Sequence, residues 1–184
     1  MIIGTERAPP AAVSGTGYWN ACESRPDPRI HAPAASELSE GPAAGELYTV
    51  LLAEDSALDT LLVREAIAIY KLPIQLQVLE DGDKACVYLQ KVESKEAPSP
   101  AMALLDLNLP KRDGIEILKR IRQSSICGSI PVVIVTSSDS PRDRAAAERL
   151  GANRYFRKPT DYDEYLKLGK ILEELICELD NNRF

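Results

Sequence analysis

Short apolar segments alternate with helix-like segments five times between Tyr48 and Leu179, and this alternation restricts the possible folds more than any other feature. The apolar segments are YTVLLA (48–53), IQLQVL (74–79), AMALL (101–105), PVVIVT (131–136) and RYFR (154–157). Such segments predict β-strands because they are short and rich in β-forming residues. Repeated strand–helix units favour a parallel sheet with helices on both faces. The sequence therefore predicts a doubly wound α/β fold.

The segments between these strands have helical periodicity. The predicted helices span residues 57–70, 82–93, 114–123, 141–150 and 161–179. Apolar residues recur at helical spacing in the first helix, at Leu58, Leu61, Leu62 and Ile69. A near-heptad stripe runs along the last helix: Tyr165, Leu168, Leu172, Leu175, Ile176 and Leu179. This stripe is compatible with homodimerisation and equally with packing onto the sheet.

Residues 1–45 differ in composition from the remainder of the chain, with many Ala, Pro, Gly and Ser residues and few branched apolar ones. Such a segment buries too little apolar surface to offset the loss of chain entropy. We therefore predict a disordered or loosely packed extension over residues 1–45 and a folded domain over residues 46–184. The sole histidine, His31, lies in the extension, where we expect a solvated residue rather than a ligand or a base.

Composition and simple motifs argue against several classes of protein. The formal net charge of -6 argues against a basic surface that binds nucleic acid. The four cysteines lie far apart and form no CxxC pair, which disfavours a zinc site and indicates reduced thiols. No GxGxxG or P-loop sequence follows the first strand. With no signal peptide and no run of ~20 apolar residues, we expect a cytoplasmic protein without membrane spans.

Polar side chains follow the predicted strands at the carboxyl edge of the sheet, where this kind of fold binds ligands. They are Glu54 and Asp55 after the first strand, Asp106 after the third, Thr136 at the end of the fourth and Lys158 after the fifth. Taken singly, each has an ordinary explanation as a helix cap, a turn residue or a solvated side chain. Their coincidence at one edge predicts a site. Asp81, after the second strand, is predicted to cap the next helix.

The chemistry of these residue types favours phosphoryl transfer. Three neighbouring carboxylates repel one another unless a cation neutralises them, and Mg²⁺ suits a site with few protein oxygens. With a divalent cation and the Lys158 ammonium present, one carboxylate remains available as a nucleophile towards phosphorus. Lys158 would neutralise charge on the phosphoryl oxygens, and the Thr136 hydroxyl would donate to one of them.

Four motifs in residues 47–179 resemble the receiver domain of two-component response regulators: LLAEDS, LLDLNLPKRDG, PVVIVTSS and GANRYFRKP. The resemblance implies a CheY-like, flavodoxin-like (βα)5 fold with strand order 2-1-3-4-5. It implies that Asp106 is the phosphoacceptor and that Lys158 pairs with it. The implied Mg²⁺ ligands are Asp55, Asp106 and the backbone carbonyl of Asn108, with Glu54 acting through a metal-bound water.

The resemblance further implies a conformational switch. Thr136 would move towards the phosphoryl group, and Tyr155 would then turn inward, which changes the face formed by the fourth helix, the fifth strand and the last helix. The family also implies a cis Lys158–Pro159 peptide bond.

The implied activity is that of a single-domain regulator, which is not an enzyme in the usual sense. It would accept a phosphoryl group from a sensor histidine kinase and catalyse only its own phosphorylation and dephosphorylation. The LNLPKRDG sequence and the spacer VESKEAPSPA are similar to those of regulators paired with phytochrome-type kinases.

Two alternatives remain at this point. A haloacid-dehalogenase-type phosphatase also uses an aspartate nucleophile, a Thr or Ser, a Lys and Mg²⁺. That family, however, has a second aspartate two residues after the nucleophile, where this chain has Asn108. The other alternative is a receiver-like binding module that is never phosphorylated, against which the complete set of acids and Lys158 argues.

Overall fold

The computed structural model describes residues 47–182. The strands are β1 (Tyr48–Ala53), β2 (Ile74–Leu79), β3 (Met102–Leu105), β4 (Val132–Thr136) and β5 (Arg154–Arg157). The helices are α1 (Ala57–Ile69), α2 (Gly82–Glu93), α3 (Gly114–Gln123), α4 (Pro141–Arg149), α5 (Tyr162–Leu166) and α6 (Leu168–Asn181). Extension residues 1–45, including His31, lie outside the described residues, so the prediction for that segment stays a prediction.

All five strands are parallel and lie in the order β2-β1-β3-β4-β5, which confirms the predicted topology. Strand β1 lies next to the middle of the sheet, with β2 on one side and β3, β4 and β5 following on the other. Strand β1 contacts both β2 and β3, so that Val50 is opposite Leu76 on one side and Met102 on the other. The carboxyl ends of β1, β3 and β4 consequently lie next to one another in the middle of one sheet edge.

The core has two layers because successive residues of a strand point to opposite faces. In β1, Leu51 and Ala53 pack with the apolar sides of α2 and α3. Val50 and Leu52 pack on the other face with residues of α1, α5 and α6. Every residue of β3 and β4 is buried, in agreement with central strands covered on both faces.

Five helices begin at a residue whose side chain accepts a hydrogen bond from a backbone N–H of the first turn. These capping residues are Ser56, Asp81, Asp113, Ser140 and Asp161. The predicted capping role of Asp81 is confirmed, since its carboxylate accepts from the Lys84 N–H at 2.7 Å. Such a cap contributes about 1 kcal/mol to helix stability. Ser56, Asp81 and Ser140 follow strands β1, β2 and β4, so these caps also fix where the next helix begins at the carboxyl edge of the sheet.

The last predicted helix is divided in two at Lys167. Around this residue the backbone makes hydrogen bonds three residues apart, from the Lys167 N–H to the Glu164 carbonyl and from the Lys170 N–H to the Lys167 carbonyl. Such tighter turns leave the side-chain periodicity almost unchanged, and hence the sequence pattern looked continuous. The stripe from Tyr165 to Ile176 packs into the core, so its apolar character is explained without a second copy of the chain.

The helix predicted over residues 57–70 is confirmed as α1, but the apolar residues that predicted it do not all face the core. Leu58, Leu61 and Ile69 are largely exposed, at 66%, 51% and 55% of their surface, whereas Leu62 packs against the core. The buried residues are Val63, Ala66 and Ile67. Helix α1 carries apolar residues on more than one face, and the smaller side chains allow it to approach the sheet closely. None of the helices within residues 47–182 has the length and apolar character needed to cross a membrane.

Candidate functional site

The backbone continues its sheet-like hydrogen bonding just beyond the strands and thereby positions the polar residues. The Asp106 N–H donates to the Ala53 carbonyl at 3.0 Å, and the Glu54 N–H donates to the Leu79 carbonyl at 3.0 Å. The Lys158 N–H donates to the Thr136 carbonyl at 2.8 Å. The polar side chains are therefore held by the edge of the sheet rather than by freely moving loops.

Three carboxylates surround the Lys158 ammonium. Its Nζ lies 2.7 Å from Glu54 Oε2, 2.7 Å from Asp106 Oδ2 and 2.9 Å from Asp59 Oδ2. The side chains of Lys158, Glu54 and Asp106 are almost fully buried, whereas that of Asp59 is 24% exposed. The structure thus brings together Glu54, Asp106 and Lys158 as the sequence predicts, and it adds Asp59.

Burial and ion pairing have opposite effects on the pKa values of Lys158 and Glu54. Burial alone would lower the pKa of Lys158, but the hydrogen bonds that its ammonium donates to Asp106, Asp59 and Glu54 outweigh burial and raise the pKa above its usual range. Burial raises the pKa of Glu54, and its bond with Lys158 counteracts this only in part. The ammonium therefore stays charged, while ionised Glu54 is costly to bury.

The carboxylate oxygens of Glu54, Asp55 and Asp106 fit a divalent cation. One oxygen from each residue lies within 4.8 Å of the others. Asp55 is exposed, whereas Glu54 and Asp106 are buried, so the cluster opens to solvent on the Asp55 side. Hard oxygen donors with access to water are the environment that Mg²⁺ prefers. The described residues thus include a donor set suited to the predicted metal.

Asn108 and Thr136 lie beside Asp106. The Asn108 N–H donates to Asp106 Oδ1 at 3.0 Å, and the Asn108 side-chain amide donates to Thr136 Oγ1 at 3.4 Å. Thr136 is fully buried, and its Oγ1 also accepts from the Ser138 N–H at 3.3 Å. These contacts place the Thr136 hydroxyl at the same edge as the carboxylates. The role predicted for the Asn108 carbonyl as a metal ligand stays a prediction.

Tyr155 connects β5 to the loop after β4. Its hydroxyl donates to the Ser138 carbonyl at 3.1 Å, and the Arg144 guanidinium lies 5.3 Å from the centre of its ring. Burial raises the pKa of Tyr155. Ser138 in turn donates through its hydroxyl to Asp143 Oδ2 of α4 at 2.7 Å. A continuous set of contacts therefore leads from Thr136 to the first turn of α4 and to Tyr155.

The structure differs from the resemblance at the Lys158–Pro159 bond. The described residues contain no cis peptide bond, so this bond is trans, the isomer of lower intrinsic energy. The expectation of a cis bond is therefore wrong for this structure. The Lys158 ammonium nevertheless contacts the carboxylates of Glu54, Asp59 and Asp106.

Sequence reasoning missed two residues near the site, Asp59 and Tyr165. Asp59 lies in the first turn of α1, three residues after the cap Ser56 and close in sequence to Asp55, and an acid at that position is a signal that could have identified it. Tyr165 was assigned to an apolar stripe, and its hydroxyl was not considered. It is buried, and within the described part of the chain that hydroxyl has no hydrogen-bond partner.

The order of the five parallel strands and the polar groups at their carboxyl edge place the protein in the class of CheY-like, doubly wound domains. Comparison with known families makes the assignment specific. The chain belongs to the response regulator receiver domain family, whose sequence profile matches residues 50–169. It is a receiver domain of a response regulator, a signalling protein of two-component systems, and the phosphatase and binding-module alternatives are not favoured.

Curated relatives agree with this assignment. Response regulator Rcp1 from Synechocystis sp. is 37% identical over 130 residues, which cover 70% of this chain and 88% of Rcp1. The probable methanogenesis regulatory protein FilR2 from Methanothrix harundinacea is 34% identical over 132 residues, which cover 72% of this chain and 83% of FilR2.

Solved structures are similar as well. The Mn²⁺-bound form of Rcp1 matches with a TM-score of 0.64 and 36% identity over 71% of this chain and 95% of that one. The phosphorylated cyanobacterial phytochrome response regulator RcpA matches with a TM-score of 0.64 and 33% identity over 70% of this chain and 92% of its own. Receiver domains are phosphorylated by histidine kinases and bind Mg²⁺ or Mn²⁺ at an acidic site.

Proposed function

We propose that Asp106 accepts a phosphoryl group from the phosphohistidine of a sensor histidine kinase. The observation that carries this proposal is the position of the buried Lys158 ammonium, 2.7 Å from an oxygen of Asp106. A cation at this position can neutralise a phosphoryl group as it arrives. Asp55, Asp106 and the Asn108 carbonyl would hold Mg²⁺ directly, and Glu54, the third acid of the cluster, would act through a water molecule.

The phosphoryl group moves from nitrogen to oxygen. An oxygen of the Asp106 carboxylate attacks phosphorus, and a P–O bond forms while the P–N bond to the histidine breaks. The electron pair of that bond stays on the imidazole nitrogen. Bound Mg²⁺ supplies charge neutralisation at the phosphoryl oxygens. Lys158 donates to one of these oxygens, and Thr136 donates its hydroxyl proton in a hydrogen bond to another.

Dephosphorylation restores the resting protein. A water molecule attacks the phosphorus of the acyl phosphate, the bond to the Asp106 oxygen breaks, and inorganic phosphate leaves. The carboxylate can then contact Lys158 again. The protein thus acts on its own phosphoryl group and turns over no separate substrate.

The output is a change of the face formed by α4, β5 and the helices α5 and α6. Thr136 and Tyr155 are both connected to Ser138, whose hydroxyl is bonded to Asp143 of α4. A movement of Thr136 towards a phosphoryl oxygen would pull on the Ser138 N–H. The Tyr155 hydroxyl and the start of α4 would respond because both are bonded to the same residue.

The partner is a sensor histidine kinase of the phytochrome type. This proposal is supported by the phytochrome response regulator RcpA and by the bacteriophytochrome response regulator RtBRR, which is 36% identical with a TM-score of 0.58. We also propose that the protein is cytoplasmic and that residues 1–45 form an extension outside the receiver domain. We further propose that the protein forms homodimers. A solution mass measurement with and without a phosphoryl mimic tests the dimer.

The phosphorylation site is tested by incubating the full chain with acetyl phosphate and Mg²⁺ and measuring intact mass. One phosphoryl unit is expected on the wild type and none on Asp106→Asn. Asp163→Asn is a matched control because Asp163 is an exposed aspartate in α5, and it should be labelled like the wild type. Labelling of Asp106→Asn would refute the assignment. In a separate assay without acetyl phosphate, steady turnover of a small phosphate ester would favour a phosphatase.

A further inference from the structure

The Lys158 ammonium has no N–H left for a phosphoryl oxygen in the resting structure. An ammonium has three donors, and the three carboxylates of Glu54, Asp59 and Asp106 accept from it. A phosphoryl group on Asp106 adds oxygens that compete for the same donors. At least one of the present bonds must therefore be weakened when the phosphoryl group arrives.

Asp59 is the carboxylate that can most easily lose its bond to Lys158. Glu54 is almost fully buried and also accepts from the Ser56 N–H at 3.0 Å, so it is held on both sides. The Asp59 side chain is partly exposed, and within the described residues its hydrogen-bond donor is Lys158. Asp59 does not belong to the cluster of oxygens suited to a metal.

Tyr165 supplies a donor that the resting structure leaves unused. It is 2% exposed, and its hydroxyl is without a hydrogen-bond partner within residues 47–182. Its ring packs edge-on against Phe156, two residues before Lys158, with the ring centres 5.7 Å apart. Burial raises the pKa of Tyr165, and among the nearby charges that of Asp59 contributes most. A buried hydroxyl without a partner is costly, so it gains when a carboxylate released from another donor can turn towards it.

We propose that Asp59 is a positioning residue that holds the Lys158 ammonium in the resting protein and competes for it with the phosphoryl group on Asp106. The Tyr165 hydroxyl then donates to Asp59 after Lys158 has left it. This inference rests on the proposed function of Asp106. It means that Asp59 weakens, and Tyr165 strengthens, the binding of a phosphoryl group or its mimic.

The first experiment measures the affinity of the full chain for beryllium fluoride in the presence of Mg²⁺ by titration calorimetry. Asp59→Asn should bind this phosphoryl mimic about fivefold more tightly, since a competing charge is removed. Asp59→Ala should shift the affinity in the same direction. Glu65→Gln is the matched control because it removes one negative charge from the same helix at a position without contact to Lys158. If Glu65→Gln tightens binding equally, or if Asp59→Asn does not, the inference is wrong.

The second experiment tests the connection between Asp59 and Tyr165 with a double-mutant cycle. Tyr165→Phe should weaken beryllium fluoride binding about threefold when Asp59 is present and should have no effect in the Asp59→Ala background, which lacks an acceptor for the Tyr165 hydroxyl. The resting thermal midpoint should be unchanged or raised, because the substitution removes a hydroxyl that has no partner. Equal weakening in both backgrounds, or equal loss of stability with and without the mimic, would contradict the role of Tyr165.

Labelling with acetyl phosphate separates this inference from the proposed function. If wild type gains no phosphoryl unit and does not bind beryllium fluoride, both proposals are refuted. If wild type is labelled at Asp106 but Asp59→Asn behaves like Glu65→Gln, the proposed function stands and the inference about Asp59 alone is refuted.

Discussion

The Lys158 ammonium lies 2.7 Å from the Asp106 carboxylate although the two residues belong to strand ends that are not neighbours. Strand β4 lies between β3 and β5, and two steps across a sheet amount to about 10 Å. The long side chain of lysine spans this distance while its backbone N–H stays bonded to Thr136. A shorter cation at position 158 would not reach the carboxylate.

Replacing Lys158 with Met should destabilise the resting protein strongly. The change leaves buried Glu54 and Asp106 without their shared cation, which typically costs about 3–5 kcal/mol. Urea unfolding in EDTA measures the loss. Lys84→Met is the control because it breaks an exposed pair with Glu80, for which a much smaller loss is expected. Similar losses for the two variants would contradict a special role of Lys158 in stability.

The effect of Lys158→Met should also depend on pH. Since pairing raises the pKa of Lys158 above its unfolded value, its stabilisation is complete below the ordinary lysine pKa and is lost as pH rises through the folded value. At the acid end, protonation of Glu54, whose pKa burial raises, removes the need of that carboxyl for a cation. Unfolding curves from pH 3 to 9 should therefore show the difference between wild type and variant shrinking as pH falls to the usual glutamate range.

Replacing Glu54 with Gln should stabilise the resting protein and weaken metal binding. Burial raises the pKa of Glu54, so its ionised form disfavours folding above that raised value, and this penalty disappears as pH falls to the usual glutamate range. Gln can still accept from Lys158 and the Ser56 N–H. The thermal midpoint in EDTA should therefore rise at pH 8 and approach that of wild type near pH 4.5. An equal gain at both pH values would contradict this explanation.

The fold and the main site residues could be predicted because both depend on short-range signals. Each strand is a short apolar run, and each run ends at a polar residue that the parallel sheet must place at one edge. The predicted neighbourhood of Glu54, Asp106 and Lys158 follows from this geometry alone. The resemblance to receiver domains added roles for the residues, and the family match agrees with it.

The remaining features depend on distances between residues in three dimensions, which the spacing of apolar residues in the sequence does not reveal. Asp59 contacts Lys158 from the first turn of α1, although the two residues are 99 positions apart in the sequence. The buried side of α1 could not be chosen because apolar residues occur on several of its faces, and close packing favoured Ala66 over Leu58 and Leu61. The break at Lys167 leaves the apolar stripe intact, so no sequence signal marked it.

Replacing Arg122 with Lys should destabilise the end of the sheet opposite the site. The Arg122 guanidinium donates to the carbonyls of Gly128, Ile130 and Gly151 and to the side chain of Asn153, at 2.7–3.2 Å. A lysine cannot reproduce this planar set of donors. We expect a loss of about 2 kcal/mol in urea unfolding. Arg142→Lys at an exposed position of α4 is the control and should change stability by less than about 0.5 kcal/mol.

Replacing Gly114 with Ala should impair both stability and phosphorylation, because a Cβ there would lie 2.2 Å from the Asp106 carbonyl oxygen. The backbone of Asp106 must shift to relieve this contact, and overpacking of this kind costs about 1–3 kcal/mol. Gly128→Ala is the matched control, since its Cβ would lie 2.6 Å from the Ser124 carbonyl, away from the site. Urea unfolding should show losses for both variants, whereas the rate of labelling by acetyl phosphate per folded molecule should fall for Gly114→Ala alone. Labelling of Gly114→Ala at the wild-type rate would show that Asp106 tolerates displacement of its backbone. Phosphorylation would then not depend on the exact position of this carboxylate.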